Sequence, residues 1–145
     1  MVLEAGTYAP SAMGRQSPVI IAVTNKAYRE ELVKMNASIM NAKDDPYYGA
    51  PVIVLALADG NATTMVEDAS CALENMMLAA HALGLGSVWV HRERQMFDSE
   101  EGKRLLEKWS LPVSLRGVGA IALGYPKGEI PQAKERKKEY IVHID

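Results

Sequence analysis

Residues 64–90, TMVEDASCALENMMLAAHALGLGSVWV, predict a helix, a glycine-marked exit and a strand. The first four residues have the T-x-x-E spacing of a capping box, in which Glu67 would bond back to the start of the helix. Apolar side chains then recur at helical spacing as far as Leu83, and Gly84 is the residue type that most readily takes the left-handed conformation that ends helices. We therefore expect a capped, amphipathic helix here, followed by a strand at 87–90.

Three further apolar runs predict the other strands of a core sheet. Residues 19–24 and 52–58 are continuous and rich in β-branched side chains, and each follows a proline, as expected for buried strands. The run 118–123 is accompanied by Gly117 and Gly119, which would let another backbone or a ligand approach closely. Weaker helical patterns lie at 3–8, 26–40 and 99–109.

The composition is that of an ordinary globular chain. The 145 residues are 48% hydrophobic and 23% charged, with a formal net charge of −2. The absence of a basic stripe argues against a nucleic-acid partner, and no apolar run reaches the roughly 20 residues of a membrane span. Since the one cysteine can form no intrachain disulfide and no signal-peptide pattern opens the chain, we expect a single cytoplasmic domain over residues 1–145.

The loop at 9–18, APSAMGRQSP, is the first candidate for chemistry. The hydroxyl of Ser11 and the amide of Gln16 can each donate and accept hydrogen bonds, which suits the edge of a planar heteroaromatic ring. An ordinary helix-to-strand turn with capping side chains is the more common explanation of such a loop. The residues of the loop leave both interpretations open.

The remaining candidates are weaker. Lys134 and Arg136, two residues apart in an extended segment, could clamp one phosphate, although a charge run is usually solvated. Cys71 is expected on the apolar side of the long helix, next to Ala72, as a small buried hydrophobe. The glycines at 84 and 86 follow a helix C-terminus, whose dipole disfavours phosphate, so they read as a helix end. The three histidines lack the spacing of metal ligands, so no metal site is expected: His81, His91 and His143.

Two segments carry open interpretations. Tyr47 and Tyr48, in the stretch 41–48, could form a substrate wall or could pack in the core. Residues 141–144, IVHI, have strand character, and an exposed run of this kind requires a sheet edge or a partner chain.

Three stretches, taken in order, resemble the FMN-dependent nitroreductase family. Residues 3–25, LEAGTYAPSAMGRQSPVIIAVTN, are similar to that family's helix, A-P-S-x-x-N-x-Q-P loop and first strand. Residues 68–90 look like its central helix, G-L-G exit and next strand. ALGYP at 122–126, with the basic segment behind it, is the third stretch. The resemblance covers nearly the whole chain.

The resemblance implies an α+β fold in which a central mixed β-sheet is flanked by helices and two copies form an intertwined homodimer. FMN would lie in each interface cleft, with NADH or NADPH as electron donor and a ping-pong cycle. Small electron-poor aromatic substrates, such as nitroaromatics or quinones, would be the acceptors. Because the flavin would carry the chemistry, no catalytic side chain is expected.

The same resemblance assigns roles to particular residues. It implies contacts of Ser11, Met13 and Gln16 with the flavin or its ribityl chain. His91 and Arg92 match the loop whose backbone N–H groups face flavin N5 and O4, where donors would stabilise the charge gained on reduction.

Three further residues complete this set. Lys134 and Arg136 match the family's C-terminal K-x-R pair, which meets the phosphate. Asp68 stands where some members place a ring-contacting residue from the other subunit.

The chain also departs from the family pattern. Gly14 stands in place of the usual Asn, and Ser17 precedes Pro18 where Pro and an aromatic are common. The family's basic R-x-S-x-R segment and first helix have no counterpart before Met1, so we expect an N-terminally shortened domain. Loss of charge-assisted hydrogen bonds of about 1.5–3 kcal/mol each would weaken FMN binding.

Two alternatives to a nitroreductase-like enzyme follow from these departures. The chain could be a shortened, catalytically idle module of the same fold that binds flavin or dimerises. It could also carry out different flavin chemistry, such as dehalogenation or flavin breakdown, because substrate choice depends on side chains around the site and not on the fold.

Overall fold

The computed structural model describes residues 1–129 and 131–144 and contains one four-stranded sheet with helices on both faces. A 3-10 turn at Ala12–Gly14 lies between the first helix and the first strand. The elements in chain order are α1 (Val2–Thr7), β1 (Pro18–Val23), α2 (Lys26–Met40), β2 (Val52–Asp59), α3 (Met65–Ala82), β3 (Gly86–Val90), α4 (Glu93–Asp98), α5 (Glu100–Lys108) and β4 (Leu115–Gly124). All four predicted strands and all four predicted helical segments are present.

The strand order is β1-β2-β4-β3, and each neighbouring pair is antiparallel. The prediction of an α+β fold is confirmed, whereas the described sheet is antiparallel throughout instead of mixed. The reason lies between β1 and β2. Helix α2 is about 22 Å long and returns the chain to the start of β1, and residues 41–51 then carry it back to the far end, where Val52 begins β2. β2 therefore runs against β1.

Both faces of the sheet are buried, and β2 shows this most clearly. Its side chains alternate between two apolar clusters, since successive residues of a strand point to opposite faces. Ile53 and Leu55 belong to the cluster formed with α2, α4 and α5. Val54 and Ala56 belong to the cluster formed with α3. The molecule is thus a three-layer arrangement with β2 at its centre.

The capping box predicted for α3 is wrong, although the helix and its end were predicted correctly. Thr64 is the N-cap residue, but its side chain caps no backbone N–H. Its hydroxyl donates instead to the carboxylate of Asp68, at 3.3 Å. Gly84 does take a left-handed conformation (φ 71°) just past the helix, as predicted.

The expectation that Cys71 is buried is also wrong, because its side chain is exposed. Cys71 lies two residues after the buried Ala69, which places it about 200° around the helix from the face that packs on the sheet. The stretch 141–144 forms no strand in the described residues, and all four side chains are exposed. The described residues of this stretch pair with neither edge strand of the sheet. None of the helices in the described ranges is long and apolar enough to cross a membrane.

Gly117 and Gly119 permit close contacts, as the sequence predicted. They flank a β-bulge in β4, where the register with β2 shifts. A Cβ atom at Gly117 would lie 2.3 Å from the backbone carbonyl carbon of Glu93, and one at Gly119 would lie 2.9 Å from the ring of Trp89. The start of α4 is therefore seated directly on the backbone of β4.

Substitution of Gly117 by Ala is expected to destabilise the fold by about 1–3 kcal/mol, because the added methyl group overlaps the backbone of Glu93 and one of the two must move. Gly86→Ala is the matched control, since a Cβ there makes ordinary contacts of 3.5 Å or more. Urea unfolding of both variants and the unchanged protein measures the difference. Equal midpoints for Gly117→Ala and the unchanged protein would contradict this packing.

Candidate functional site

A cleft of about 140 Å³ opens where the 9–18 loop crosses the first turns of α3. Small and apolar residues form its walls, and a hydroxyl, an amide and a carboxylate lie at its polar end. The lining includes Gly6, Pro10, Ser11, Gln16, Ile20 and Asp68. Few convergent polar groups in a mostly apolar cleft are the usual composition of a small-molecule site.

Asp68 anchors the loop to α3. Its carboxylate accepts hydrogen bonds from the backbone N–H of Ala12 (3.0 Å) and the hydroxyl of Ser17 (2.7 Å), in addition to that of Thr64. The side chain is only 5% exposed. The bonds from Ser17 and Ala12 favour the ionised form and hold the pKa of Asp68 below its usual range. Asp68 is therefore an anion that fixes both ends of the loop.

The backbone of the loop is held in an unusual conformation. Met13 and Gln16 have positive φ angles of 54° and 52°, and Gly14 between them has 65°. Left-handed conformations at residues other than glycine are uncommon and need support from their surroundings. The Asp68 anchor supplies part of that support, and the Ser11 hydroxyl accepts a bond from the backbone N–H of Gln16 (2.9 Å). Asn also tolerates this conformation, so the backbone shape at position 14 is compatible with either Gly or Asn.

The structure brings together three of the predicted site residues. Ser11, Gln16 and Asp68 all line the cleft. Met13 is 86% exposed, and its sulfur accepts a hydrogen bond from the Arg15 side chain (3.3 Å). Met13 therefore lies at the tip of the loop and does not line the cleft.

His91 and Arg92 lie at the opposite edge of the sheet. β1 and β3 are the edge strands, and the start of β1 and the end of β3 lie at the same end of the sheet. Three inter-strand spacings, about 14 Å, separate the two edges. Arg92 is the N-cap residue of α4 and has a φ of 96°. Two predicted parts of one site thus occupy opposite edges of a single chain.

Lys134 and Arg136 lie on the tail that follows β4. Both side chains are exposed, as are all described side chains from 131 to 144. Neither residue lines the cleft. Over residues 1–129 and 131–144, no group of three or more His, Cys, Asp or Glu side chains could hold a metal ion.

A buried polar network behind the His91–Arg92 turn was missed by the sequence analysis. The Tyr47 hydroxyl donates to Glu93 Oε1 (2.9 Å), and Asn36 Nδ2 donates to the backbone carbonyl of His91 (2.9 Å). The side chains of Glu93, Asn36 and Tyr47 are all fully buried. Asn36 could have been noticed, because it is a polar residue four positions after Leu32 on the apolar face of α2.

The two candidate tyrosines have opposite environments. Tyr47 is buried and Tyr48 is 73% exposed, so core packing is the correct interpretation of Tyr47. Burial and the neighbouring Glu93 raise the pKa of the Tyr47 phenol. Burial likewise raises the pKa of Glu93 to about 7, against the opposing effect of the hydrogen bonds it accepts.

Comparisons with known proteins give a consistent result. The sequence model of the nitroreductase family matches residues 1–125. A protein of Archaeoglobus fulgidus with the provisional name NADH dehydrogenase/NAD(P)H nitroreductase is 35% identical over 134 residues, which is 88% of this chain and 72% of that protein.

Solved structures agree with this match. A nitroreductase with bound FMN from Bacteroides fragilis has a TM-score of 0.88 and 30% identity, over 99% of this chain and 84% of the other. An FMN-dependent nitroreductase from Clostridium difficile has a TM-score of 0.79 and 28% identity, over 99% of this chain and 83% of the other.

We expect Asp68→Asn to release the 9–18 loop from α3, because an amide cannot accept both bonds that the carboxylate receives from Ala12 and Ser17. Tryptic cleavage after the exposed Arg15 should become about tenfold faster, since cleavage requires local opening. Glu67→Gln is the matched control, with the same loss of charge on a neighbouring exposed residue. Equal cleavage rates in the two variants would contradict the anchoring role.

The stability contributed by Asp68 is expected to depend on pH. Because the folded pKa of Asp68 lies below the usual value of 3.8, its contribution to stability is complete above that value and is lost as pH falls through the folded pKa. The difference in urea midpoint between the unchanged protein and Asp68→Asn should be constant near neutral pH and should narrow below about pH 4. A difference that widens on acidification would contradict it.

Proposed function

Because the chain belongs to the nitroreductase family, we propose that it binds FMN and transfers electrons from NADH or NADPH to small electron-poor acceptors such as nitroaromatics or quinones. The observation that carries the proposal is the likeness, over 99% of this chain, to a nitroreductase of Bacteroides fragilis with bound FMN. The name of the Archaeoglobus relative, which includes NAD(P)H, supports a nicotinamide donor. We further propose that residues 1–145 form one domain, because both apolar clusters share a single sheet.

The donor set of the cleft fits a flavin. Ser11 and Gln16 offer a hydroxyl and an amide toward a ring edge that carries alternating carbonyl and N–H groups. Gly6 and Pro10 belong to the apolar lining of the cleft. A volume of about 140 Å³ is nevertheless less than the roughly 300–1,000 Å³ of a typical ligand pocket. One copy of the chain would therefore supply only part of the site.

A second copy would supply the rest. The two sheet edges that carry the cleft loop and the His91–Arg92 turn lie about 14 Å apart, so the two parts of the site do not meet at one edge of a ring within one copy. The tail also exposes Tyr140, Ile141 and Val142 by 69–74% each, and exposed apolar clusters of this kind usually mark an interface. We therefore propose a homodimer with FMN at the interface, in which the tail of each copy packs on the other.

Within this dimer each predicted residue has a role. FMN, when bound, is the group that takes up and passes on electrons. Ser11, Met13 and Gln16 bind and orient its ring and ribityl chain, and Asp68 acts through the loop that it anchors. The backbone N–H groups of the His91–Arg92 turn face the ring edge. This assignment differs from the ring contact expected for Asp68, since its carboxylate is already engaged by three donors.

The purified chain is expected to retain a visible flavin absorption band that elutes with the dimer on gel filtration. The same fraction should oxidise NADH or NADPH when a nitroaromatic or quinone is added, with parallel double-reciprocal plots if the cycle is ping-pong. Bovine serum albumin treated with FMN and filtered in the same way controls for carry-over of free flavin. A dimer that retains FMN but oxidises neither nucleotide with any acceptor would instead support the idle-module alternative.

Lys134→Gln combined with Arg136→Gln is expected to weaken FMN binding by about tenfold or more for each residue, because each removes a charge-assisted hydrogen bond to the phosphate. Fluorescence titration with FMN measures the change. Riboflavin, which lacks the phosphate, should bind both proteins equally.

Two controls make this test specific to the phosphate. Lys127→Gln with Lys138→Gln removes the same charge from other exposed positions around the tail and should leave FMN affinity nearly unchanged. Equal weakening of FMN and riboflavin by the Lys134 and Arg136 substitutions would show that the pair acts on the fold or the dimer instead.

A further inference from the structure

Two buried oxygen atoms behind the His91–Arg92 turn have no hydrogen-bond partner in the described part of the chain. They are Oδ1 of Asn36 and Oε2 of Glu93. Both residues are fully buried, and buried polar atoms are nearly always paired. Both atoms are acceptors when Glu93 is ionised, so neither can satisfy the other in that state.

The neighbouring contacts suggest how both atoms are satisfied. Asn36 Nδ2 donates one hydrogen to the His91 carbonyl at 2.9 Å. Its second hydrogen is shared between the Tyr47 hydroxyl, at 3.3 Å, and Glu93 Oε1, at 3.5 Å. The amide and the carboxyl group thus lie side by side. When Glu93 is protonated at Oε2, this O–H group would donate to Asn36 Oδ1. Together with the contact from Asn36 Nδ2 to Glu93 Oε1, it would complete the pair of hydrogen bonds that a carboxylic acid forms with an amide. Glu93 Oε1 would still accept from Tyr47.

We propose that protonated Glu93 shares its Oε2 proton with Asn36 Oδ1 in the folded protein, and that this shared proton positions the His91–Arg92 turn. Glu93 is thereby a positioning residue for the flavin-facing backbone. The flavin part of this inference rests on the proposed function, whereas the protonation and its effect on the turn do not.

The peptide bond between His91 and Arg92 transmits the protonation state of Glu93 to the exposed side of the turn. A trans peptide places its C=O and N–H on opposite sides. Asn36 holds the His91 carbonyl toward the core, so the N–H of Arg92 is directed away from the core. Arg92 also has a positive φ of 96°, a conformation that an unsupported arginine rarely adopts. The amide that supports the turn is itself oriented by the proton on Glu93.

The charged groups around Glu93 do not reverse this conclusion. The backbone N–H of Glu93 and the cation Arg92, at the start of α4, both favour ionisation of Glu93, and burial outweighs them. Asp45, next to Tyr47, is paired with Arg29. Gly117 of β4 presents only backbone to Glu93. No basic side chain in the described residues forms a salt bridge with Glu93.

The first measurement is a pH titration by NMR of protein labelled with ¹³C at the glutamate carboxyl carbons, without added FMN. One resonance should titrate near pH 7, well above the usual value of 4.5, and should be missing in Glu93→Gln. Tyr47→Phe should raise that midpoint further, because the phenol stabilises the ionised form. Titration of every glutamate below about pH 5.5 would overturn the proposal.

The second measurement tests positioning. The amide resonance of Arg92 should shift with the same midpoint as Glu93 in the unchanged protein and should not shift around that midpoint in Glu93→Gln, whose amide is neutral at every pH. Glu101→Gln, an exposed position on α5, is the matched control and should behave like the unchanged protein. An Arg92 amide that is insensitive to the titration of Glu93 would overturn the positioning role even if Glu93 is protonated.

FMN affinity gives the link to function. If FMN binds only the form with protonated Glu93, its affinity should fall by up to about tenfold between pH 6 and pH 8, the limit that linkage sets for a midpoint near 7. Glu93→Gln should remove this component, and comparison with it cancels the titration of the FMN phosphate. Retention of the full pH dependence in Glu93→Gln would overturn the link. Absence of FMN binding at any pH would overturn the proposed function. The two NMR measurements would still show whether Glu93 is protonated and whether its proton positions the turn.

Discussion

The burial of β2 on both faces is the constraint on which the rest of the structure depends. A strand with apolar side chains on both faces must be covered by two layers, so α3 lies on one side and α2, α4 and α5 on the other. It is also paired on both edges, with β1 and β4. The chain that precedes β1 and the chain that follows β3 are therefore placed at the two outer edges of the sheet, where the two loops of the candidate site lie.

This division explains why the candidate site is built from separate parts. At the β1 edge, a loop with positive φ angles at Met13 and Gln16 is held by the carboxylate of Asp68. At the β3 edge, a turn with a positive φ angle at Arg92 is held by Asn36 and by the close seat of Glu93 on Gly117. In each case a buried side chain from another element supports an unusual backbone conformation, as is common where backbone groups meet a ligand. The site proposed here joins one edge of one copy to the other edge of its partner.

The parts of the fold that sequence predicted well are those determined by local pattern. The continuous apolar runs and the glycine after α3 define all four strands and the end of the long helix, because burial and backbone freedom act at those positions. The capping box did not form because Thr64 lacks the extended backbone of a capping residue (ψ 29°) and its hydroxyl is directed toward Asp68. Cys71 was assigned to the buried face of α3 but lies on its exposed face. Strand direction was also missed, because it depends on the path of residues 41–51 and on no local pattern. The 9–18 loop was predicted from its residue types. The contacts of Glu93 with Asn36 and Tyr47 join three distant segments, so no single segment carries a sequence pattern for them.

The two buried carboxyl groups show how the surroundings decide charge. Asp68 receives three hydrogen bonds, one of them from the backbone, and these stabilise its ionised form so that its pKa falls. The ionised form of Glu93 is favoured by its own backbone N–H, by the phenol of Tyr47 and by a long contact from the amide of Asn36. These bonds do not offset the cost of burying a charge, so its pKa rises. The cost of burial, which is the largest effect at Glu93 and a smaller one at Asp68, separates the two. An ionised carboxylate therefore suits Asp68, which must accept hydrogen bonds from several donors to anchor an exposed loop. A protonated carboxyl group suits Glu93, because its remaining neighbour in the closed core is the Asn36 amide oxygen, which needs a donor.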